Sequence, residues 1–217
     1  MEFNTELLIQ IAYFVAAILI ILGLKFTWSK MAARSNSGVS RSKKNTKASA
    51  EATALAAAKN VIIVPGYGMA VAQAQHEVWE LARILQEKGV HVSFAINPVA
   101  GRMPGHMDVL LAEAGVPYDF IYDWDNINNQ FPNCDVALAV GANDIINPTA
   151  RGDSTGQICG TPILDADKAR NLIIIKRSQG TGFSGIENPL FDEDNTCMCY
   201  GDARDVVQKL VADVKLL

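Results

Sequence analysis

The stretch NVIIVPGYGMAVAQAQHEVWELARILQEKGVHVSFAINP, residues 60–98, passes from an apolar run through a glycine turn into an amphipathic segment and out to a second apolar run. Val61, Ile62, Ile63 and Val64 have no polar residue alternating with them, which suits a strand buried on both faces. Val71, Ala74, Val78, Leu81 and Leu85 recur at helical spacing and predict one helix over residues 69–88. Residues 90–96 form the next strand. Strand, crossover helix and strand in this order make a βαβ unit, whose strands lie parallel.

The pattern continues outward. Strands are expected at residues 118–122, 136–140, 172–176 and 196–200, with a closing helix over 205–217. The fold class is therefore α/β, a doubly wound, Rossmann-like parallel sheet of six strands with helices on both faces. This domain is expected to occupy residues 60–217. Residues 7–24 carry no charge and are just long enough to cross a bilayer, so residues 1–30 are read as a transmembrane helix. Lys25, Lys30, Arg34, Arg41, Lys43, Lys44 and Lys47 all follow that span. By the positive-inside rule the rest of the chain lies on the cytoplasmic side of a bacterial inner membrane, or on the matrix side in an organelle. Residues 31–59, basic and Ala-rich with almost nothing to bury, read as a linker.

Charge divides the chain in the same way. Residues 1–59 hold 8 Lys/Arg and 3 Asp/Glu, against 11 and 20 in residues 60–217. An acidic domain lacks the basic face that displaces counterions from phosphates, which excludes nucleic acid as a partner. Cys134, Cys159, Cys197 and Cys199 include no C-x-x-C pair and have no histidine at zinc-ligand spacing. Reduced, mostly buried thiols are expected, with no metal site. The C-x-C of Cys197 and Cys199 fits a strand with both thiols on one face.

Four loops carry the chemistry. Gly66, Tyr67 and Gly68 open a G-x-G-x-x-V motif between strand and helix, where glycines let backbone approach a pyrophosphate and free helix N–H groups stabilise its charge. The third position is Val71 rather than glycine, so the motif alone also fits an ordinary tight turn. The second strand ends Ala95, Ile96, Asn97, Pro98, without the acid that reads an NAD ribose, so any dinucleotide is read elsewhere. Lys176, Arg177 and Ser178 follow the fifth strand directly. They suit a phosphate monoester, although a solvated basic strand end has the same composition. GTGFSGIENPLF, residues 180–191, is long enough for a lid. GANDIINP, residues 141–148, follows the fourth strand and contains one acid, Asp144. Arg102 lies in a loop before a helix that starts near Gly105. His76, His91 and His106 have no triad-like partners and read as structural.

GYGMAVAQAQ, VAGRMPGHM, GANDIINP and KRSQGTGF, in this order and spacing, resemble the NADP(H)-binding domain of the β subunit of proton-translocating (Re/Si-specific) NAD(P) transhydrogenase. The N-terminal segment is similar to the first membrane helix of that subunit, and residues 35–59 stand where the remainder of its membrane domain would be. The resemblance implies NADP(H) as cofactor, in a flipped orientation relative to other dinucleotide folds. Contacts are implied from Gly66, Tyr67 and Gly68, and from the loop of Val99, Ala100, Gly101, Arg102, Met103 and Pro104. Gly141, Ala142, Asn143, Asp144 and Ile145 belong to the same set, with Gly160 and Thr161. Lys176, Arg177 and Ser178 would hold the 2′-phosphate. Gln179, Gly180, Thr181, Gly182 and Phe183 would form the cover, and Asp202 and Ala203 would close the site. Phe183 stands where the family generally has Tyr, and Asp108 where it generally has Asn.

The implied reaction passes a hydride from NADH on a partner domain to NADP⁺ here, coupled to proton movement through membrane-domain subunits. Asp144 is the position singled out for that coupling, and the chain alone is expected to bind without pumping. Two other readings stay open: a membrane-tethered, non-catalytic NADP(H)-binding module, and a stand-alone NADP-dependent reductase.

Overall fold

The structure is a computed structural model that describes residues 48–152 and 158–217. The expected span at residues 7–24 lies outside them, as does most of the linker. Among the described residues no helix is long and apolar enough to cross a membrane.

Strands β1 (Asn60–Pro65), β2 (His91–Ile96), β3 (Ile121–Asp123), β4 (Val136–Val140), β5 (Asn171–Lys176) and β6 (Thr196–Tyr200) form one six-stranded sheet in the order β3-β2-β1-β4-β5-β6. Every pair is parallel, as the uninterrupted apolar runs require. The central strands are buried, and the edge strands β3 and β6 are half-buried. This is the doubly wound Rossmann-like sheet expected from the sequence.

Helices α1 (Ala50–Ala57), α2 (Tyr67–Ala72), α3 (Gln75–Glu87), α4 (His106–Glu113), α5 (Trp124–Ile127) and α6 (Ala203–Lys215) join short 3₁₀ turns around the sheet. In α3 the residues Val78, Leu81, Ala82 and Leu85 are fully buried, and in α6 Val207, Leu210, Val211 and Val214 form the matching stripe. Across these two helices, Arg204 Nε donates to Glu77 Oε1 at 2.7 Å and Gln208 Nε2 to the same oxygen at 3.1 Å.

Three expectations change, the first at residues 118–122, where Tyr118–Phe120 form a 3₁₀ turn and the strand runs only from Ile121 to Asp123. The single helix over 69–88 is two helices, because Gln73 adopts φ 51° and its N–H bonds back to Ala70 and Met69, ending α2. Val71 consequently faces solvent while Ala74 is buried. The Ala-rich end of the expected linker is also part of the folded domain. Ser49 caps α1, its backbone N–H donates to Asp213 Oδ2 at 3.2 Å, and Ala52 and Leu55 are fully buried. Leu55 finds an apolar surface that no neighbour in sequence supplies.

Candidate functional site

The sheet order reverses between β1 and β4, and there the chain leaves in opposite directions and opens a crevice beyond the strand ends. The crevice floor is backbone. Gly66 N–H donates to Val140 O, Gly68 N–H to Gly141 O and Gly141 N–H to Ile175 O, each at 2.9 Å. Gly141 has φ +64°, and a Cβ there would lie 2.4 Å from Gly68 Cα. Side chains cannot occupy this crossing, so a ligand can reach the main chain. The expected set of free amides at the start of α2 is smaller than the motif suggested, since Gly68 N–H is engaged and Met69 N–H donates to Gly66 O at 3.0 Å.

Two clefts meet over the crossing. The larger, about 520 Å³, is lined by the loops after β1, β2 and β4 and by Thr161, Gly182 and Phe183. The smaller, about 280 Å³, runs past Lys176, Arg177 and Ser178 to Asp202 and Ala203. Tyr67, Gly68, Gly141, Ala142, Asn143 and Gly182 border both, which makes one continuous groove.

The segment after β5 covers this groove, and three fastenings hold its residues 180–184. Lys176 Nζ donates to Gly180 O at 2.7 Å and sits 4.0 Å from the centroid of the Phe191 ring. Asp144 accepts from Ser184 twice, Oδ2 from the backbone N–H at 3.0 Å and Oδ1 from the hydroxyl at 2.8 Å. The Arg102 guanidinium lies between two rings, 4.4 Å from Tyr67 and 5.6 Å from Phe183. Such a contact is worth about 0.5–1 kcal/mol where exposed, and Phe183 is 92% exposed, so the tip is the weakest fastening.

Burial lowers the Lys176 pKa below the ordinary lysine value, opposed by the negative charge of Asp144. The cation would therefore gain from an incoming phosphate. Asn143 lines both clefts. Its Oδ1 accepts from Asn188 Nδ2 at 3.2 Å, whereas its buried Nδ2 has no hydrogen-bond partner. A buried amide donor left unpaired costs about 1–3 kcal/mol, so an acceptor brought to it would be stabilised. The donor set and the side-chain-free crossing both suit a nicotinamide dinucleotide.

Most residues singled out in the sequence come together on this groove, but Met103, Pro104, Gly160 and Gln179 do not line it. Asp144 lines the groove, with both carboxylate oxygens turned to the lid at Ser184. Sequence reasoning missed Ser184, Ile158, Val71, Ala72 and Ile175, which do line it. Ser184 has no motif of its own, and only its partner 40 residues away gives it a role. At the end of β2, where an NAD fold carries an acid, Asn97 is buried and structural: Nδ2 donates to Pro162 O at 2.7 Å and Oδ1 accepts from Val99 N at 2.9 Å. His106 is structural too, its Nδ1 accepting from Arg102 N at 3.2 Å.

Two sequences of NAD(P) transhydrogenase subunit beta from Rhodospirillum rubrum are each 55% identical to this chain over 154 residues, covering 71% of it and 33% of theirs. The chain thus spans about a third of the length of the curated relatives it matches. Among solved structures, a Sir2 homologue in complex with 2′-O-acetyl ADP ribose superposes with a TM-score of 0.46 and 12% identity, over 76% of this chain and 95% of that one. The model of the family described as NAD(P) transhydrogenase beta subunit matches residues 28–213. With most of its length inside that match, the chain belongs to the NAD(P) transhydrogenase beta subunit family.

Proposed function

We propose that this chain is the NADP(H)-binding component of a proton-translocating NAD(P) transhydrogenase, accepting a hydride from NADH held on a partner domain to make NADPH. The observation that carries the reading is the continuous groove with two cations and a hydroxyl at one end and an unpaired amide donor where its two clefts meet. The cationic end suits a 2′-phosphate and the amide donor a carboxamide.

The bound cofactor supplies the hydride chemistry, and the protein supplies binding, orientation and exclusion of water. Lys176, Arg177 and Ser178 hold the 2′-phosphate, with the planar fork of Arg177 matched to phosphate geometry. Gly66, Gly68 and Gly141 let the dinucleotide lie against backbone. Asn143 orients the carboxamide. Asp144 holds Ser184 and thereby the lid, so a change at Asp144 couples the closure of the groove to its surroundings. That makes Asp144 the residue through which proton movement acts on cofactor binding and release. Phe183, exposed at the lid tip, and Tyr67 and Arg102 beside it form the rim on which an NAD(H)-binding subunit or domain docks. Membrane-domain subunits are the further partners, in a bacterial inner membrane or an organellar one, with this domain on the cytoplasmic or matrix side.

The test mixes the full chain with the NAD(H)-binding domain of a transhydrogenase, NADH and a spectrally distinct NADP⁺ analogue in a stopped-flow instrument. Transfer is expected only when both proteins are present. Sustained transfer by this chain alone would make it a reductase, and none with any such partner would leave a binding module.

A further inference from the structure

At the edge strand β6, outside the groove residues just described, three metal-ligating side chains converge. Cys197 and Cys199 stand on the edge strand β6, and alternation along a strand puts both thiols on one side. Glu51, in the first turn of α1, reaches them from 146 residues away, and Cys197 Sγ donates to its Oε1 at 3.2 Å. The two sulfurs and a carboxylate oxygen all lie within 4.8 Å of one another.

We propose that Glu51, Cys197 and Cys199 bind a zinc ion that staples α1 to the sheet edge. Two thiolates and a carboxylate are a zinc donor set, completed to a tetrahedron by water. Calcium and magnesium require oxygen ligands, and an iron–sulfur cluster takes four cysteines or two with two histidines, so neither suits the site. Tetrahedral geometry with Zn–S of about 2.3 Å brings the sulfurs roughly 3.8 Å apart, a movement within reach of side-chain rotation. A disulfide is the rival for such a pair. Residues i and i+2 of a strand, at about 3.3 Å rise each, have Cα atoms roughly 6.6 Å apart with side chains parallel, near the long limit of about 6.8 Å for a disulfide. All three ligands are half-buried, which leaves a path for the ion and its water. Lys209 is the neighbouring cation, and its charge offsets part of the excess negative charge of two thiolates and a carboxylate around Zn²⁺. Binding exchanges the two thiol protons for the metal, and both go to solvent. The staple matters to α1 because this short helix buries only Ala52 and Leu55.

The full chain, reduced and stripped with a chelator, is titrated with zinc chloride by calorimetry in buffers of different ionisation enthalpy. One equivalent is expected to bind, with release of up to two protons, and Cys197→Ser and Cys199→Ser should each abolish it while Glu51→Gln weakens it. In the unaltered chain, zinc should protect Cys197 and Cys199 from alkylation, read by mass spectrometry, and leave the rate at Cys159 unchanged. Absence of stoichiometric binding, binding that survives in the double Cys197→Ser, Cys199→Ser variant, or failure of zinc to protect the pair in the native chain would each overturn the proposal.

Discussion

A Cβ placed on Gly141 would lie 2.4 Å from the Cα of Gly68, so the loops after β4 and β1 touch through backbone alone. The contact fixes the floor of the groove and leaves room above it for a ligand.

Gly141→Ala should therefore damage both stability and binding. A left-handed non-glycine residue costs about 1–2 kcal/mol, and overpacking adds about 1–3 kcal/mol. Urea unfolding is expected to show the combined loss, with weakened nucleotide binding in the fraction that folds. A loss too small to measure would mean that the two loops part easily.

Arg177→Ala should discriminate between cofactors. Removing a charged hydrogen bond to the 2′-phosphate costs about 1.5–3 kcal/mol, or roughly 10- to 150-fold in affinity for NADPH. Affinity for NADH should be nearly unchanged. Lys176→Ala should also loosen the lid, since Nζ holds Gly180 O at 2.7 Å. Calorimetry with both cofactors checks this, and equal affinity of the unaltered chain for NADP⁺ and NAD⁺ would refute the assignment of the cluster.

The lid should open when its central fastening is cut. Ser184→Ala removes the 2.8 Å hydroxyl bond to Asp144, and Asp144→Asn replaces one of two acceptors with a donor. Each is expected to speed amide exchange over residues 180–188 and cofactor release, at a cost of about 1.5–3 kcal/mol in lid closure. Because both act on one contact, the double variant should be little worse than Asp144→Asn. Additive effects in a double-mutant cycle would show that Asp144 acts elsewhere.

Asp108 in the first turn of α4 has its pKa raised, first by burial and also by the nearby charge of Asp123. A raised native pKa means that the folded state binds the proton more tightly than the unfolded state. Its contribution to stability therefore falls as pH rises from about 3.9, the unfolded value, through the raised native value. Asp108→Asn should stabilise the fold at pH 7 by no more than about 0.5 kcal/mol for such a partly exposed site, read as a slightly raised thermal midpoint. The difference should vanish near pH 3. A destabilised variant at pH 7 would mean that the favourable charge at the helix N-terminus dominates.

The metal-free thiols should react unequally. Burial pushes the Cys134 thiol up to about 11, and burial with the Glu51 carboxylate pushes Cys197 up to about 12. Cys199 is also raised, first by burial and then by the charge of Glu51. Cys159 is exposed. Iodoacetamide at pH 8 should label Cys159 first, because the thiolate is the nucleophile and must be reachable. Faster labelling of Cys197 would contradict the raised thiols of this half-buried pair. The expectation of mostly buried thiols thus holds for Cys134 alone, since burial of a thiol depends on what packs over it.

The sequence by itself determined the sheet, because Val61 to Val64, Val136 to Val140 and Leu172 to Ile175 are apolar without alternation, and that is a local property. It also determined the glycine turn and the Lys176, Arg177, Ser178 cluster, which are contiguous and lie at strand ends by the rule of parallel sheets. Tertiary structure decided what distance in sequence hides. The helix expected over 69–88 breaks at Gln73 because a left-handed residue there lets Ala74 turn into the core while Val71 stays out. Leu55 makes α1 part of the domain only because α6, at the far end of the chain, packs beside it. Asp144 acquires its lid contact from Ser184, 40 residues on, and the Cys197–Cys199 pair acquires a third ligand from Glu51, 146 residues back. Spacing rules read neighbours, and these groups become neighbours only when the sheet brings its strand ends and edges together.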